Sequence, residues 1–154
     1  MAVRVQTEDF DVGAEYQQLI GDNPTDGAVV FFVGLVRDMN QGDAVSGLLL
    51  EHYPGMTERA LHQIEDDARA RWPLGRVQIV HRVGQLGISD QIVFVGTSSP
   101  HREAAFEACQ FMMDYLKNHA PFWKKETLHQ SETNTRERWL DAAEKDLKAE
   151  ARWG

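Results

Sequence analysis

Two stretches of this sequence carry apolar residues at helical spacing, and a proline stands at or near both ends of each stretch. They are PGMTERALHQIEDDARARW and SPHREAAFEACQFMMDYLKNHA. The bounding prolines are Pro54, Pro73, Pro100 and Pro121. Proline fits the first turn of a helix but cannot continue one, and the residue before it disfavours helical backbone. The sequence therefore predicts two long amphipathic helices with defined ends.

The segments around these helices favour β-strands, because they are rich in β-branched and aromatic residues. The predicted strands lie within VRVQ, DGAVVFFVGLVRD, GLLLEHYP, RVQIVHRVG, QIVFVGTS and FWKKETLH, and the apolar run from Ala28 to Val36 predicts a buried strand. QLGISD predicts a hairpin loop, DVGAEYQQLIGD a short helix, and TRERWLDAAEKDLKAEARW a polar terminal helix weakly anchored by Trp139 and Leu140. Two long helices among several strands predict an α+β fold with a mixed or antiparallel sheet, in one domain over residues 1–154.

Charge and composition exclude several classes of protein. The formal net charge of −8 at pH 7 disfavours broad nucleic-acid binding, which depends on many basic contacts to phosphates. The longest apolar run, AVVFFVGLV, is too short to span a bilayer, and the first residues lack the pattern of a signal peptide. The single Cys109 cannot form an internal disulfide, and no spacing typical of zinc ligands is present. We therefore expect a cytoplasmic protein without a metal.

The start of the second long helix is unusual for its charge. Ser99 is a good N-cap and Pro100 a good first helical residue, which predicts that His101 and Arg102 occupy the first turn. Cations there oppose the helix dipole at a cost of about 0.3–1 kcal/mol each when charged, whereas a bound anion would reverse that sign. Two interpretations are open: an anion site, or a solvated pair compensated by Glu103.

The end of the same helix gathers three ammonium groups around a short apolar turn, MDYLKNHAPFWKKE. Lys117 lies in the last helical turn, where the helix dipole alone would favour a cation. Lys124 and Lys125 are adjacent in an extended segment, so they point to opposite faces, and one of them could face a pocket. A lysine crowded by apolar groups and other cations can exchange a proton near neutral pH or hold an anionic intermediate.

The other polar candidates are ambiguous in the sequence. Arg37 follows a predicted strand directly and could grip a phosphate at the rim of the sheet, or could simply be solvated. Arg138, beside a tryptophan, has the same ambiguity. His52 and His81 lie in strand patterns and are interpreted as structural. Cys109 lies on an apolar helix face and is interpreted as a core residue rather than a nucleophile.

Taken together, the segments resemble the family of molybdopterin synthase large (catalytic) subunits, often called MoaE, over nearly the whole chain to about Trp139. The resembling pieces are DGAVVFFVGLVRDMNQGDAV, LEHYPGMTE, RWPLGRVQIVHRVG, IVFVGTSSPHREAAFEACQFMMDYLKNHAPFWKKE and RERW. The resemblance implies an α/β hammerhead with an additional small antiparallel β subdomain. It also implies a homodimer with one small ubiquitin-like, MoaD-like subunit docked on each large subunit, which together form a heterotetramer.

The resemblance implies an activity that needs no cofactor. The small subunit ends in Gly-Gly bearing a thiocarboxylate, which enters a pocket of the large subunit and donates sulfur to cyclic pyranopterin monophosphate. Two transfers build the molybdopterin dithiolene. The two active-site lysines of the family fall on Lys117 and Lys124, with Lys125 as a competing match for the second. The anion-binding residues fall on Arg37, His101, Arg102 and Arg138.

Two other interpretations remain open at the level of sequence. A non-catalytic dimeric α+β module that binds a phosphorylated metabolite would keep the arginines and His101 but would not need Lys117 and Lys124. A scaffold that only binds a ubiquitin-like protein would need an apolar groove but no cluster of cations. The C-terminal segment, from about residue 140 to residue 154, either packs on the small subunit or is a mobile tail.

Overall fold

A computed structural model describes the backbone of residues 2–40, 43–131, 134–140 and 144–153, and their side chains except at 39, 40, 43, 128–131, 134–140 and 144–147. The described strands are β1 Val3–Gln6, β2 Ala28–Leu35, β3 Met39–Asn40, β4 Asp43–His52, β5 Val77–Arg82, β6 Gly84–Gly87, β7 Gln91–Ser99, β8 Phe122–Ser131 and β9 Asn134–Leu140. The described helices are α1 Val12–Ile20, α2 Met56–Arg71, α3 Arg102–His119 and α4 Glu144–Ala151.

A four-stranded mixed sheet, in the order β1-β5-β7-β2, forms the centre of the core. β1 is parallel to β5, and the other neighbours are antiparallel. Side chains alternate between the two faces of the strands. On β5, Val77 and Ile79 therefore pack with residues of α2 and α3, whereas Val80 packs with Leu19 of α1. The sheet is covered on both faces, which explains why β5 is buried along most of its length.

A second sheet has the order β3-β4-β8-β9, with β6 also paired to β4, and all its pairs are antiparallel. Its apolar side chains, which include Leu48 and Leu50 of β4 and Leu86 of β6, form a separate buried cluster. The two sheets and their helices confirm the predicted α+β class. The second sheet is the small antiparallel subdomain that the family resemblance implies.

Both long helices are present, but the prediction for the first residues of α3 is wrong. α2 ends at Arg71, immediately before the Trp72–Pro73 pair, as predicted. At α3 the N-cap is His101 rather than Ser99, because β7 continues through Ser99. The Ser99 hydroxyl donates to the Pro73 carbonyl at 2.8 Å and accepts from the His101 amide at 3.2 Å. Arg102 is therefore the first helical residue.

Three further expectations from the sequence need correction. The predicted hairpin loop contains strand β6, because β4 offers it a pairing edge. The first part of the predicted terminal helix is strand β9, which pairs with β8. The side chains of Trp139 and Leu140 lie outside the described set. The apolar run Ala28–Val36 does form a strand, but Phe32 and Leu35 are 44% and 52% exposed in the single chain, since β2 is at the sheet edge and borders a pocket.

The last described residues pack on their own chain. The indole N–H of Trp153 donates to the Asp114 carboxylate at 2.7 Å, and its rings meet those of Trp72 edge-on at 5.6 Å. Glu150 of α4 accepts from the Asn118 amide at 2.8 Å. These contacts fix the end of the chain against α3. Within the described part of the chain, no helix is long and apolar enough to cross a membrane.

Candidate functional site

A cavity of about 350 Å³ opens between β2, β5, β8 and the C-terminal part of α3. Its walls are mostly apolar and include Phe32, Leu35, Ile92, Met113, Leu116 and Phe122. Three cationic side chains also line it: Arg37, Lys117 and Lys124. An apolar concave site with a few convergent polar groups is the usual form of a ligand pocket.

Lys117 reaches this cavity from the last turn of α3. Its neighbour Leu116 is buried, and Met113, one turn earlier, lines the same cavity. The turn that follows is fixed by α2, because the buried Thr57 hydroxyl donates to the Pro121 carbonyl at 2.9 Å. That bond sets the direction in which β8 leaves the helix. The chain therefore returns to the cavity within a few residues and brings a second lysine to it.

The structure separates the two adjacent lysines of β8. Phe122 and Lys124 are two residues apart on one face of the strand, and both line the cavity. Lys125 is not among the lining residues and lies on the opposite face, together with Trp123, which is 48% exposed. The geometry therefore places Lys124, and not Lys125, in the same cavity as Lys117.

Arg37 lies just beyond β2 on a segment held by backbone hydrogen bonds. The amide of the preceding Val36 donates to the Asp90 carbonyl at 3.0 Å, and the Val36 carbonyl accepts from the Ser89 amide at 2.9 Å. Val36 itself is buried, so it anchors the arginine that follows. Arg37 itself is exposed and lines the cavity, where its guanidinium can meet a charged ligand group.

His101 and Arg102 do not line this cavity in the single chain. Both are exposed at the start of α3, and Arg102 precedes Lys117 by 15 residues, or about 22 Å at the helical rise of 1.5 Å per residue. Arg138 lies in β9 opposite Glu126, but its side chain is outside the described set. Of the six candidates, the described side chains thus bring together Lys117, Lys124 and Arg37.

His81 also lines the cavity, although its strand pattern predicts only a structural residue. It is 3% exposed and its ring stacks on Phe122, with ring centroids 3.8 Å apart and planes at 18°. Burial is the main reason that its pKa falls from 6.5 to about 3. A hydrogen bond with the Arg82 carbonyl acts in the opposite direction, and the positive charges of Lys124, Lys117 and His52 lower the pKa further. The ring is therefore neutral at physiological pH.

The lowered pKa of His81 predicts a loss of stability in acid. The unfolded chain takes up a proton on this residue below pH 6.5, whereas the folded chain resists doing so until about pH 3. The unfolded state thus binds more protons in this window, so stability falls as the pH is lowered. We expect a contribution of about 2 kcal/mol between pH 8 and pH 5. Denaturant unfolding of the wild type and of His81→Phe should show it.

The comparison of pH dependences isolates this residue. Carboxylates elsewhere contribute equally to the pH dependence of both proteins. The difference between the two slopes of unfolding free energy against pH therefore gives the contribution of His81. The variant has lost the hydrogen bond to the Arg82 carbonyl and is expected to be less stable at pH 8, which does not affect the slope. If both proteins lost the same free energy of unfolding between pH 8 and pH 5, His81 would not be the neutral buried group described above.

Cys109 has no part in this cavity. It is buried in the main core, and burial raises the pKa of its thiol to about 12. The interpretation as a core residue is therefore confirmed. The cavity combines cations with apolar and aromatic walls, so it can hold anionic groups next to a flat ring or a narrow peptide.

Comparisons of the sequence and of the structure with known proteins all identify the same family. The family model described as MoaE protein matches residues 5–119. The chain is 56% identical to the molybdopterin synthase catalytic subunit of Vibrio cholerae, over 98% of this chain and 97% of that protein. It is 55% identical to the subunit of that name from Escherichia coli K12, with 97% and 95% coverage. A solved structure, molybdopterin cofactor biosynthesis protein E from Burkholderia multivorans, is 54% identical, with a TM-score of 0.81 and 99% and 95% coverage.

Proposed function

This chain belongs to the MoaE family, and from that membership we propose that it is the catalytic subunit of a molybdopterin synthase. The reaction moves sulfur from the C-terminal thiocarboxylate of a small ubiquitin-like, MoaD-like subunit to cyclic pyranopterin monophosphate. Two such transfers produce the dithiolene of molybdopterin. We further propose that residues 1–154 act as one catalytic domain, in the cytoplasm.

One observation carries this proposal: Lys117 of α3, Lys124 of β8 and Arg37, which follows β2, line a single apolar cavity. Both reactants are anionic, since one carries a thiocarboxylate and the other a phosphate. A cavity with several cations favours both, and its apolar walls strengthen each electrostatic contact. Sulfur arrives on the partner, which agrees with the inert position of Cys109 in the core.

The two lysines have different proposed tasks. Lys117, which lines the cavity together with Met113, holds the thiocarboxylate terminus and stabilises the negative charge that develops during attack. Lys124 donates or accepts a proton, or holds the pterin intermediate. Arg37, the third cation that lines the cavity, binds the phosphate of the substrate.

His101 and Arg102 fit this function if two copies share their sites. Their distance from Lys117 along α3 prevents them from serving the cavity of their own chain. We therefore propose that they extend from one copy toward the cavity of the second copy in a homodimer, where they bind the substrate phosphate. Arg138 is proposed as a further anion contact, on the strength of the family resemblance.

A mixed dimer of one Lys117→Ala chain and one Arg102→Ala chain tests this sharing. In such a dimer, one of the two cavities keeps both residues if Arg102 acts in the other copy. Re-equilibrating the two inactive parents in equal amounts yields about half mixed dimers, so about a quarter of the wild-type activity should return. Product formation is measured at a substrate concentration at which neither parent turns over.

A matched mixture serves as the control. Lys117→Ala combined with a chain carrying both substitutions contains no intact cavity in any arrangement, and it should stay inactive. An equally inactive mixture of the two single variants would show that Arg102 does not act across the dimer.

The proposed activity itself is tested by mixing three components: this protein, a thiocarboxylated small subunit and cyclic pyranopterin monophosphate. Formation of the dithiolene product supports the proposal. Binding of both components without turnover would favour a non-catalytic module for a phosphorylated metabolite. Binding of the small subunit alone would favour a scaffold.

A further inference from the structure

The described side chains that line the cavity include several hydrogen-bond donors and few acceptors. Lysine and arginine side chains only donate, and the other described lining side chains are apolar except for His81. Apart from the weakly accepting thioether of Met113, the imidazole of His81 is the one acceptor that a described side chain contributes to this wall. A ligand that carries donor groups as well as anionic groups would therefore find its main side-chain acceptor in this ring.

The hydrogen bonding of His81 fixes which nitrogen accepts. Its Nδ1 lies 2.8 Å from the Arg82 carbonyl oxygen, and because a carbonyl can only accept, Nδ1 carries the proton. In the neutral ring Nε2 is then an acceptor. Among the described residues Nε2 has no hydrogen-bond partner, although the side chain is 3% exposed. Nε2 does not belong to the fully buried polar atoms of the described chain that lack a partner, so a donor group that enters the cavity lined by His81 can reach it.

We propose that Nε2 of His81 accepts a hydrogen bond from an N–H or O–H group of the pyranopterin ring system and so orients the substrate in the cavity. This inference rests on the proposed function, and it makes His81 a substrate-positioning residue. Pterin rings carry several N–H donors, for which the cationic side chains offer no counterpart. The lysines and arginines bind the negative groups, while His81 selects the orientation of the ring.

The surroundings of His81 keep it available as an acceptor. The stack on Phe122 holds the plane of the ring, and the bond to the Arg82 carbonyl holds its rotation. The charged and titratable groups that act on it are Lys117 from α3, Lys124 from β8 and His52 from β4. All three are basic, so each opposes protonation of the imidazole and preserves the lone pair on Nε2.

Three substitutions separate the functions of the ring. His81→Phe keeps an aromatic stack but removes both nitrogens. His81→Asn keeps a donor near the position of Nδ1 and loses the acceptor. His81→Gln places an amide oxygen near the position of Nε2. We expect the dissociation constant for cyclic pyranopterin monophosphate to rise about tenfold in the Phe and Asn variants, because the ligand donor is left unpaired, and to recover partly in the Gln variant.

The readouts are substrate affinity by calorimetry and product formation with the thiocarboxylated small subunit, for each full-length variant. Affinity for the small subunit should be unchanged throughout, and thermal unfolding at pH 8 checks that each variant is folded. Wild-type substrate affinity in His81→Phe would overturn the proposal and leave only a structural stack. The proposal would also be overturned if His81→Phe no longer lowered the substrate affinity in a Lys124→Met background. Nε2 would then accept from the lysine and not from the substrate. If the wild type formed no product at all, the proposed function itself would fail instead.

Discussion

Substitution of Lys117 by alanine is expected to abolish sulfur transfer, with product formation reduced by at least about 10²–10³-fold. Lys117 lines the cavity at the end of α3 beside apolar residues such as Met113 and Leu116. Without it, the thiocarboxylate loses its anchor, and the negative charge that develops during attack is not compensated. Rates are measured with excess thiocarboxylated small subunit and pyranopterin phosphate.

Docking of the small subunit should survive this change, since an interface depends on far more surface than one side chain in a pocket. Calorimetric titration with the small subunit provides that control. Lys117→Arg is the matched variant: it keeps the positive charge but changes its shape, so partial activity is expected. Normal turnover by Lys117→Ala would remove this residue from the proposed mechanism.

Lys124→Ala and Lys125→Ala should differ strongly although the two residues are adjacent. Lys124 lines the cavity, whereas Lys125 faces the other side of β8. Loss of a group that transfers a proton or binds the intermediate typically costs about 10²–10⁴-fold in rate, so Lys124→Ala is expected in that range. Lys125→Ala should stay within about twofold of the wild type, as is usual for surface substitutions.

The adjacent pair is its own control, because both variants remove one positive charge from the same strand. Product formation is measured for the two proteins at equal concentration, after their unfolding midpoints have been compared. An equal loss of activity in both would indicate a general effect of charge. A larger loss in Lys125→Ala would mean that the face of β8 is assigned incorrectly.

Local features of the sequence predict most of the elements. The period of apolar residues and the flanking prolines place α2 and α3, because helix formation depends on neighbours three and four residues apart. The β-branched segments give most of the strands. β3, β6 and β9 are missed, since a strand exists through pairing with another strand, which local preference does not encode.

The residues of the candidate site are likewise predicted only in part by the sequence. Lys117 stands out in the sequence, because a cation at the end of an amphipathic helix next to a proline turn is a local pattern. For β8 the alternation shows that Lys124 and Lys125 face opposite sides, but not which side is the pocket. His81 lies on the same face of β5 as Val77 and Ile79, so the sequence predicts another core position. In the structure its side chain lines the cavity.

The sequence alone therefore establishes the family, the α+β class and the set of cations from which a site is built, since these depend on composition, spacing and short-range periodicity. The choice of Lys124 over Lys125, the remoteness of His101 and Arg102, and the acceptor at His81 come from the three-dimensional arrangement. The physical reason is that a pocket forms where β2, β5, β8 and α3 meet. Which face of each element borders that space depends on packing among residues far apart in the chain.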